Sequence, residues 1–287
     1  MLESTVSSNS VLLVGAGNLA TSLGVALCGA GIDVVGVWSR TEESARALGE
    51  RLGTYYSCDI HSLPQADVVI VSVADEALPQ VLSSVAKLFP CSLIAHTAGS
   101  ISMDALREAG CRRYGVFYPM QTFSRLRVVD FSTVSTFLEG CNSAALETLR
   151  SIASKLGGKV YDATSEQRRY LHLAAVFACN FPNALYAMSA ELLRRNGLPF
   201  EAMLPLIDET AAKVHSLHPK EAQTGPARRG DEAVMQSQRA LLDDELLSVY
   251  NIGTVYSKST LSILMISDTG YRLPIVVCIE SPSCARR

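Results

Sequence analysis

Val11-Leu12-Leu13-Val14-Gly15-Ala16-Gly17-Asn18-Leu19-Ala20 (VLLVGAGNLA, residues 11–20) is the stretch that decides the fold of this 287-residue chain. A four-residue apolar run leads straight into a GxGxxA turn. Leu19, Leu23, Ala26, Leu27 and Ala30 then recur at helical spacing, and Gly31 supplies a stop. Strand, glycine turn and helix in that order make a dinucleotide-binding arrangement. Gly15 allows the tight turn, Gly17 lets a pyrophosphate approach the backbone, and the small Ala20 lets the helix pack closely on the sheet. The helix start at Asn18 and Leu19 offers free N–H groups and partial positive charge to the phosphates. The plainer alternative is a glycine turn that holds no ligand.

Working outward, Val34 to Trp38 makes the second strand, and its end bears on cofactor choice. NAD sites usually carry Asp or Glu there for the ribose 2′-hydroxyl. Here the chain reads Trp38-Ser39-Arg40-Thr41 with no carboxylate before Glu42, so Ser39, Arg40 and Thr41 are expected to hold the 2′-phosphate of NADP. The alternative is that Arg40 is a solvated loop residue. Further strands are expected at Asp67–Val73, Ser92–His96, Tyr114–Tyr118, Ser135–Leu138 and Lys159–Tyr161. The fold class is therefore α/β, a Rossmann-type parallel sheet, over residues 1–164. Residues 165–252 read as a smaller, all-helical domain for substrate or dimerisation. Its helices are expected within Glu166–Asn196, Phe200–Leu217 and Glu232–Tyr250, with His218–Asp231 an ordered loop. Residues 253–287 form a tail with β-like runs at Leu261–Ile266 and Leu273–Ile279, either an added hairpin or an ill-ordered extension.

Composition narrows the function classes. Apolar residues make up 48% and charged ones 18%, enough to bury a sizeable core and to exclude disorder for most of the chain. The net charge is −3 and no long Lys/Arg cluster occurs, so no nucleic-acid partner is expected. No uninterrupted apolar run approaches about 18 residues, so no membrane span is expected. Met1 to Ser10 lacks a basic start followed by an apolar stretch, and no signal peptide is expected. The eight cysteines are widely spaced without a CxxC pair; six sit in apolar or mixed segments and read as core residues. A reducing, cytoplasmic compartment fits. His215 and His218 are an HxxH without a third ligand, so no metal is expected.

GAGNLA (15–20), WSRT (38–41), ADVVIVSVAD (66–75), HTAGS (96–100) and YPMQTFS (118–124) together resemble one uncharacterised family. It pairs a Rossmann domain like that of pyrroline-5-carboxylate reductase with a helical C-terminal domain of unknown function. HLAAVFACNFPNALY (172–186) and TGPARRGD (224–231) match that second domain. The resemblance spans roughly residues 10–252 and implies an NADP-dependent oxidoreductase that dimerises through its C-terminal helices. It implies no particular substrate.

In an open parallel sheet ligands sit beyond the C-terminal strand ends. Val73, Ala74, Asp75 and Thr97 are expected beside the cofactor, and Ser100, Gln121 and Thr122 beside the substrate. His96 is a candidate proton donor or, alternatively, a satisfied structural histidine. His172, Val176, Asn180 and Asn183 follow at spacings of 4, 4 and 3 and share a helix face. Either they satisfy one another, or His172 and Asn180 act catalytically and Asn183 binds substrate. Arg229 in the Gly/Pro loop can grip a carboxylate or phosphate, or the loop is a plain turn. Hydroxyacid dehydrogenases of similar layout carry a lysine four residues before such an asparagine; Val176 stands there. No Tyr-x3-Lys pair exists either.

The reading is an oxidoreductase moving hydride from NADPH to a small keto or imino compound. The alternatives are a non-catalytic NADP(H)-binding or redox-sensing protein, and a carrier of electrons to a second cofactor such as a deazaflavin.

Overall fold

Strand β1, Val11–Val14, buries all four side chains, as a strand covered on both faces must. The computed structural model describes residues 9–124 and 127–258; the β-like runs and cysteines beyond 258 and the polar start at 1–8 lie outside the described residues. Strands β2 (Val34–Trp38), β3 (Tyr55–Ser57), β4 (Val68–Val71), β5 (Leu93–His96), β6 (Arg113–Met120), β7 (Ser135–Gly140) and β8 (Val160–Asp162) join β1 in one sheet. The order is β3-β2-β1-β4-β5-β6-β7-β8. It is a Rossmann-type α/β sheet whose strand order reverses between β1 and β4.

Two details differ from the sequence expectation. β3 pairs with β2 at the sheet edge (Gly36 opposite Tyr55), and its three residues carry no apolar run to announce it. β7 runs antiparallel to β6, whereas the other neighbours are parallel. A parallel neighbour needs a long crossover, usually a helix; between Met120 and Ser135 the described residues hold only the short turn Phe131–Thr133, so the chain returns directly.

Alternation along the strands splits the core into two layers. Leu13, Ile70 and Phe117 pack with Leu23 and Leu27 of α1 (Asn18–Gly29), Leu48 of α2 (Glu42–Leu52) and Leu149 of α5 (Ser143–Lys155). Leu12, Val69 and Ile94 pack on the other face with Leu82 of α3 (Leu78–Leu88) and Leu106 of α4 (Asp104–Glu108).

The chain divides into two compact units, Met1–Pro182 and Asn183–Arg287. The first therefore extends past the border expected at 164/165. Thr164 opens α6 (Ser165–Ala175) through a capping box with Gln167, and one turn later the helix buries Arg168 against Glu139 of β7. A π-helical turn, Val176–Asn180, follows.

In the second unit, α7 (Phe181–Arg195, from Asn183 onward) precedes a 3-10 turn at Phe200–Met203 and α8 (Leu204–Lys213). The loop expected at His218–Asp231 contains two short helices, α9 (Pro219–Ala222) and α10 (Pro226–Arg229), each begun by proline. Gly230, at φ +71, ends α10, and Asp231 caps α11 (Glu232–Arg239) by accepting from Val234 N–H at 3.2 Å. The single helix expected over Glu232–Tyr250 breaks there. Asp243 accepts from Leu246 N–H at 3.0 Å and pairs with Arg195 at 2.8 Å, starting α12 (Asp244–Lys258). Within the described part of this unit, only the apolar side chains of Ala227 and Met235 are fully buried.

The cysteines differ from expectation as well. Cys111 is buried and Cys141 half-buried, but Cys28, Cys58, Cys91 and Cys179 are exposed; all six are free thiols. One continuous helical stretch among the described residues, Ser165–Arg195, is long and apolar enough to cross a membrane by length and composition, although polar residues interrupt its apolar runs.

Candidate active site

A cleft of about 1440 Å³ opens beyond the C-terminal ends of β1, β2, β4, β5 and β6, and its lining lies wholly within the first unit. That exceeds the roughly 300–1,000 Å³ of a single small-ligand pocket and leaves room for a dinucleotide with a small substrate.

The glycine turn forms one wall. Gly15 sits at φ +124, and a Cβ there would lie 2.0 Å from the Ser72 carbonyl oxygen of the β4 end. Gly17 is extended (φ −78), and a Cβ there would meet nothing within 4 Å. The space it would occupy is the cleft itself, at the start of α1, where no side chain caps the helix and no acid stands in the first turn. Leu19 lines the same wall, with Ala20 buried behind it. Asn18 commits its side-chain amide to the Phe123 carbonyl at 3.1 Å.

Ser39, Arg40 and Thr41 line the end of the cleft beyond β2. Thr41 also caps α2 through Ser44 N–H at 3.4 Å, which fixes the turn that carries Arg40. The exposed Arg40 has no ion-pair partner among the described residues.

Val73, Ala74 and Asp75 after β4 face Thr97 and Ser100 after β5, and Ser100 Oγ donates to Asp75 Oδ2 at 2.5 Å. Gln121 and Thr122 line the cleft beyond β6. Gln121 Oε1 accepts from the Thr122 N–H at 2.8 Å, so its side chain is turned back on its own backbone.

His172 and Asn180 both line the far end. Eight residues of α-helix would leave Asn180 about 80° around the axis from His172. The wider π turn rotates less per residue and brings it back toward the same face.

Three expected site residues lie elsewhere. His96 is 0% exposed and is not part of the cleft lining. Its Nδ1 accepts from the Ala98 N–H at 3.2 Å, and its Nε2 has no partner among the described residues. Burial, aided by the nearby Arg168 guanidinium, pushes its pKa down to about 4. Enclosed and absent from the cleft lining, His96 does not meet a ligand there, which corrects its expected place as the proton donor. Asn183 and Arg229 belong to the second unit, both exposed.

Sequence reasoning missed what holds the far end together. Arg168, fully buried, pairs with Glu139 and donates to the carbonyls of Ala98 (3.3 Å) and Ile101 (2.6 Å), while Ser165 Oγ donates to Glu139 at 2.8 Å and accepts from Met103 N–H at 2.9 Å. The 97–103 segment is thereby clamped to α6 and β7. In an Arg-Arg-Tyr run, Arg168 reads as surface, and its partner lies 29 residues away. Tyr118, 8% exposed, places its Oη 3.3 Å from His172 Nδ1.

A glycine turn with an open cradle, set at the strand-order reversal of a Rossmann-type sheet, defines a dinucleotide-binding domain of the oxidoreductase class. Two family descriptions match the chain: shikimate/quinate 5-dehydrogenase over residues 1–86, and a domain of unknown function (DUF2520) over residues 134–256. The structure of "putative NADP oxidoreductase BF3122 from Bacteroides fragilis" is 47% identical in sequence, with 88% of this chain and 98% of that one covered and a TM-score of 0.83. The chain belongs to that protein's family. The fold is also shared with a pyrroline-5-carboxylate reductase from Coxiella burnetii (16% identity, 88% and 96% covered, TM-score 0.55). It is shared too with an imine reductase from Myxococcus stipitatus in complex with NADP+ (19%, 87% and 93%, TM-score 0.62). No curated protein matches.

Proposed function

We propose that the chain is an NADP-dependent oxidoreductase that reduces a small keto or imino compound. The open cradle at Gly17 carries the reading, because it gives the cofactor's phosphates backbone N–H groups with no side chain in the way. Gly15, Gly17, Asn18 and Leu19 hold the pyrophosphate, and Ser39, Arg40 and Thr41 the 2′-phosphate. Val73, Ala74, Asp75 and Thr97 border the nicotinamide, which when bound supplies hydride. Ser100, Gln121 and Thr122 border the substrate, with His172 and Asn180 across the far end. The identity with the Bacteroides protein supports the cofactor, and the neighbouring imine reductase the substrate class.

Calorimetric titration of the purified chain with NADPH and NADH tests this. NADPH is expected to bind at least about tenfold more tightly, and Arg40→Ala to abolish that preference while NADH affinity stays level. Failure of both to bind a folded chain overturns the reading. Tight NADPH binding without turnover across a keto and imino panel would favour the redox-sensing alternative.

We further propose a homodimer. Tyr170, Leu173, Phe177 and Phe181 follow one another at helical spacing and are 67, 51, 62 and 49% exposed. The reading pairs this face with a second copy of the chain rather than lipid, since Arg168 ties the same helix to the sheet. Light scattering should give twice 30.8 kDa for the wild type and a monomer for Phe177→Glu. A monomeric wild type overturns it. Six free thiols fit a reducing, cytoplasmic setting.

A further inference from the structure

We propose that Tyr118 is the proton donor of this site and that His172 refills it; the proposal rests on the oxidoreductase reading. The observations concern how one hydroxyl is held. Tyr118 lies on β6 two positions past Val116, the residue opposite the last residue of β5, and so stands at the C-terminal edge where the cleft opens. Gly99 makes its place: a Cβ there would stand 2.8 Å from Tyr118 Cζ and 2.9 Å from Oη. Phe137 of β7 tilts against the ring at 6.4 Å between centroids. The hydroxyl is thus fixed over Gly99, in the cleft that Thr97 and Ser100 also line.

Its partner has the complementary property. His172 is exposed and reaches solvent, while its Nδ1 stands 3.3 Å from Tyr118 Oη and its ring meets the phenol edge-on at 6.4 Å. The other titratable or charged side chains lining the cleft are Arg40, Asp75 and Cys179. Arg40 stands beyond β2, Asp75 is held by Ser100, and Cys179 lies two turns past His172 on the helix. Burial pushes the Tyr118 phenol above its usual range, against a smaller opposing pull from Arg168, so the proton is in place at neutral pH.

The step balances as follows. When a substrate C=O or C=N gains hydride at carbon, its double-bond electron pair moves to oxygen or nitrogen. That atom bonds the Tyr118 Oη proton as the O–H bond breaks. The phenolate left behind takes a proton from His172 Nδ1, and His172 regains one from solvent. The substrate is reduced, and the nicotinamide is oxidised.

Tyr118→Phe and His172→Phe test this in the full-length chain. Turnover of whichever panel compound is reduced should fall at least about 100-fold in Tyr118→Phe, with the NADPH dissociation constant within about twofold of wild type. Independently of turnover, nitrogen NMR of labelled histidine should show the His172 Nδ1 signal shifted in Tyr118→Phe. Absorbance titration should show the phenol transition that Tyr118→Phe removes shifted in His172→Phe. A fall in turnover below about threefold, or phenol and imidazole signals that ignore each other's substitution, overturns the proposal. Loss of NADPH binding by the wild type would instead overturn the cofactor reading, and the spectra would still judge the pair.

Discussion

Gly17→Val is expected to lower NADPH affinity by about 100-fold or more, some 2.7 kcal/mol, with a much smaller loss of stability, that of a poorer helix N-cap. Gly17 has φ −78 in extended backbone, which valine adopts readily, and no protein atom lies within 4 Å of the added Cβ. The added side chain therefore starts in the open cleft, where the proposed pyrophosphate site lies. Gly15→Ala is the contrasting variant. At φ +124, with a Cβ 2.0 Å from the Ser72 carbonyl oxygen, alanine must displace the β4 end, so stability falls together with binding. Calorimetry reads the affinity, and urea unfolding followed by Trp38, the single tryptophan, reads the first unit alone. A Gly17→Val protein that binds NADPH like wild type would show that the turn is structural and does not meet phosphate.

Arg168→Met is expected to cost about 3–5 kcal/mol, because it leaves Glu139 with a half-buried, uncompensated carboxylate and frees the Ala98 and Ile101 carbonyls. Methionine keeps most of the stem's packing, so the loss reports the charge and its hydrogen bonds. Adding Glu139→Gln should restore part of it, since the double variant no longer strands a charge. The same urea titration measures both. If Arg168→Met unfolds within about 1 kcal/mol of wild type, the pair behaves as a surface bridge and does not clamp the cleft. NADPH affinity should weaken too, since Thr97 and Ser100 lie on the clamped segment.

The wall of the cleft proposed for the cofactor was legible because its chemistry is local. A glycine turn between an apolar strand and a periodic helix needs only ten consecutive residues, and Ser39-Arg40-Thr41 follows a strand end that the pattern itself locates. His172 and Asn180 were legible as a spacing, although the π turn that aligns them carries no sequence signal of its own. His96 shows the limit: its place at a strand end was readable, but its burial was not, and burial keeps it out of the cleft.

The sequence by itself determined the Rossmann-type class, most strands of the sheet and the glycine turn at one end of the cleft, since each follows from periodicity and turn chemistry within a few residues. The tertiary structure decided the antiparallel return of β7 and the burial of Arg168 on Glu139. It also decided the meeting of Tyr118 with His172 over Gly99. These contacts join residues tens of positions apart, and their energies exist only once the sheet has brought them within hydrogen-bonding distance.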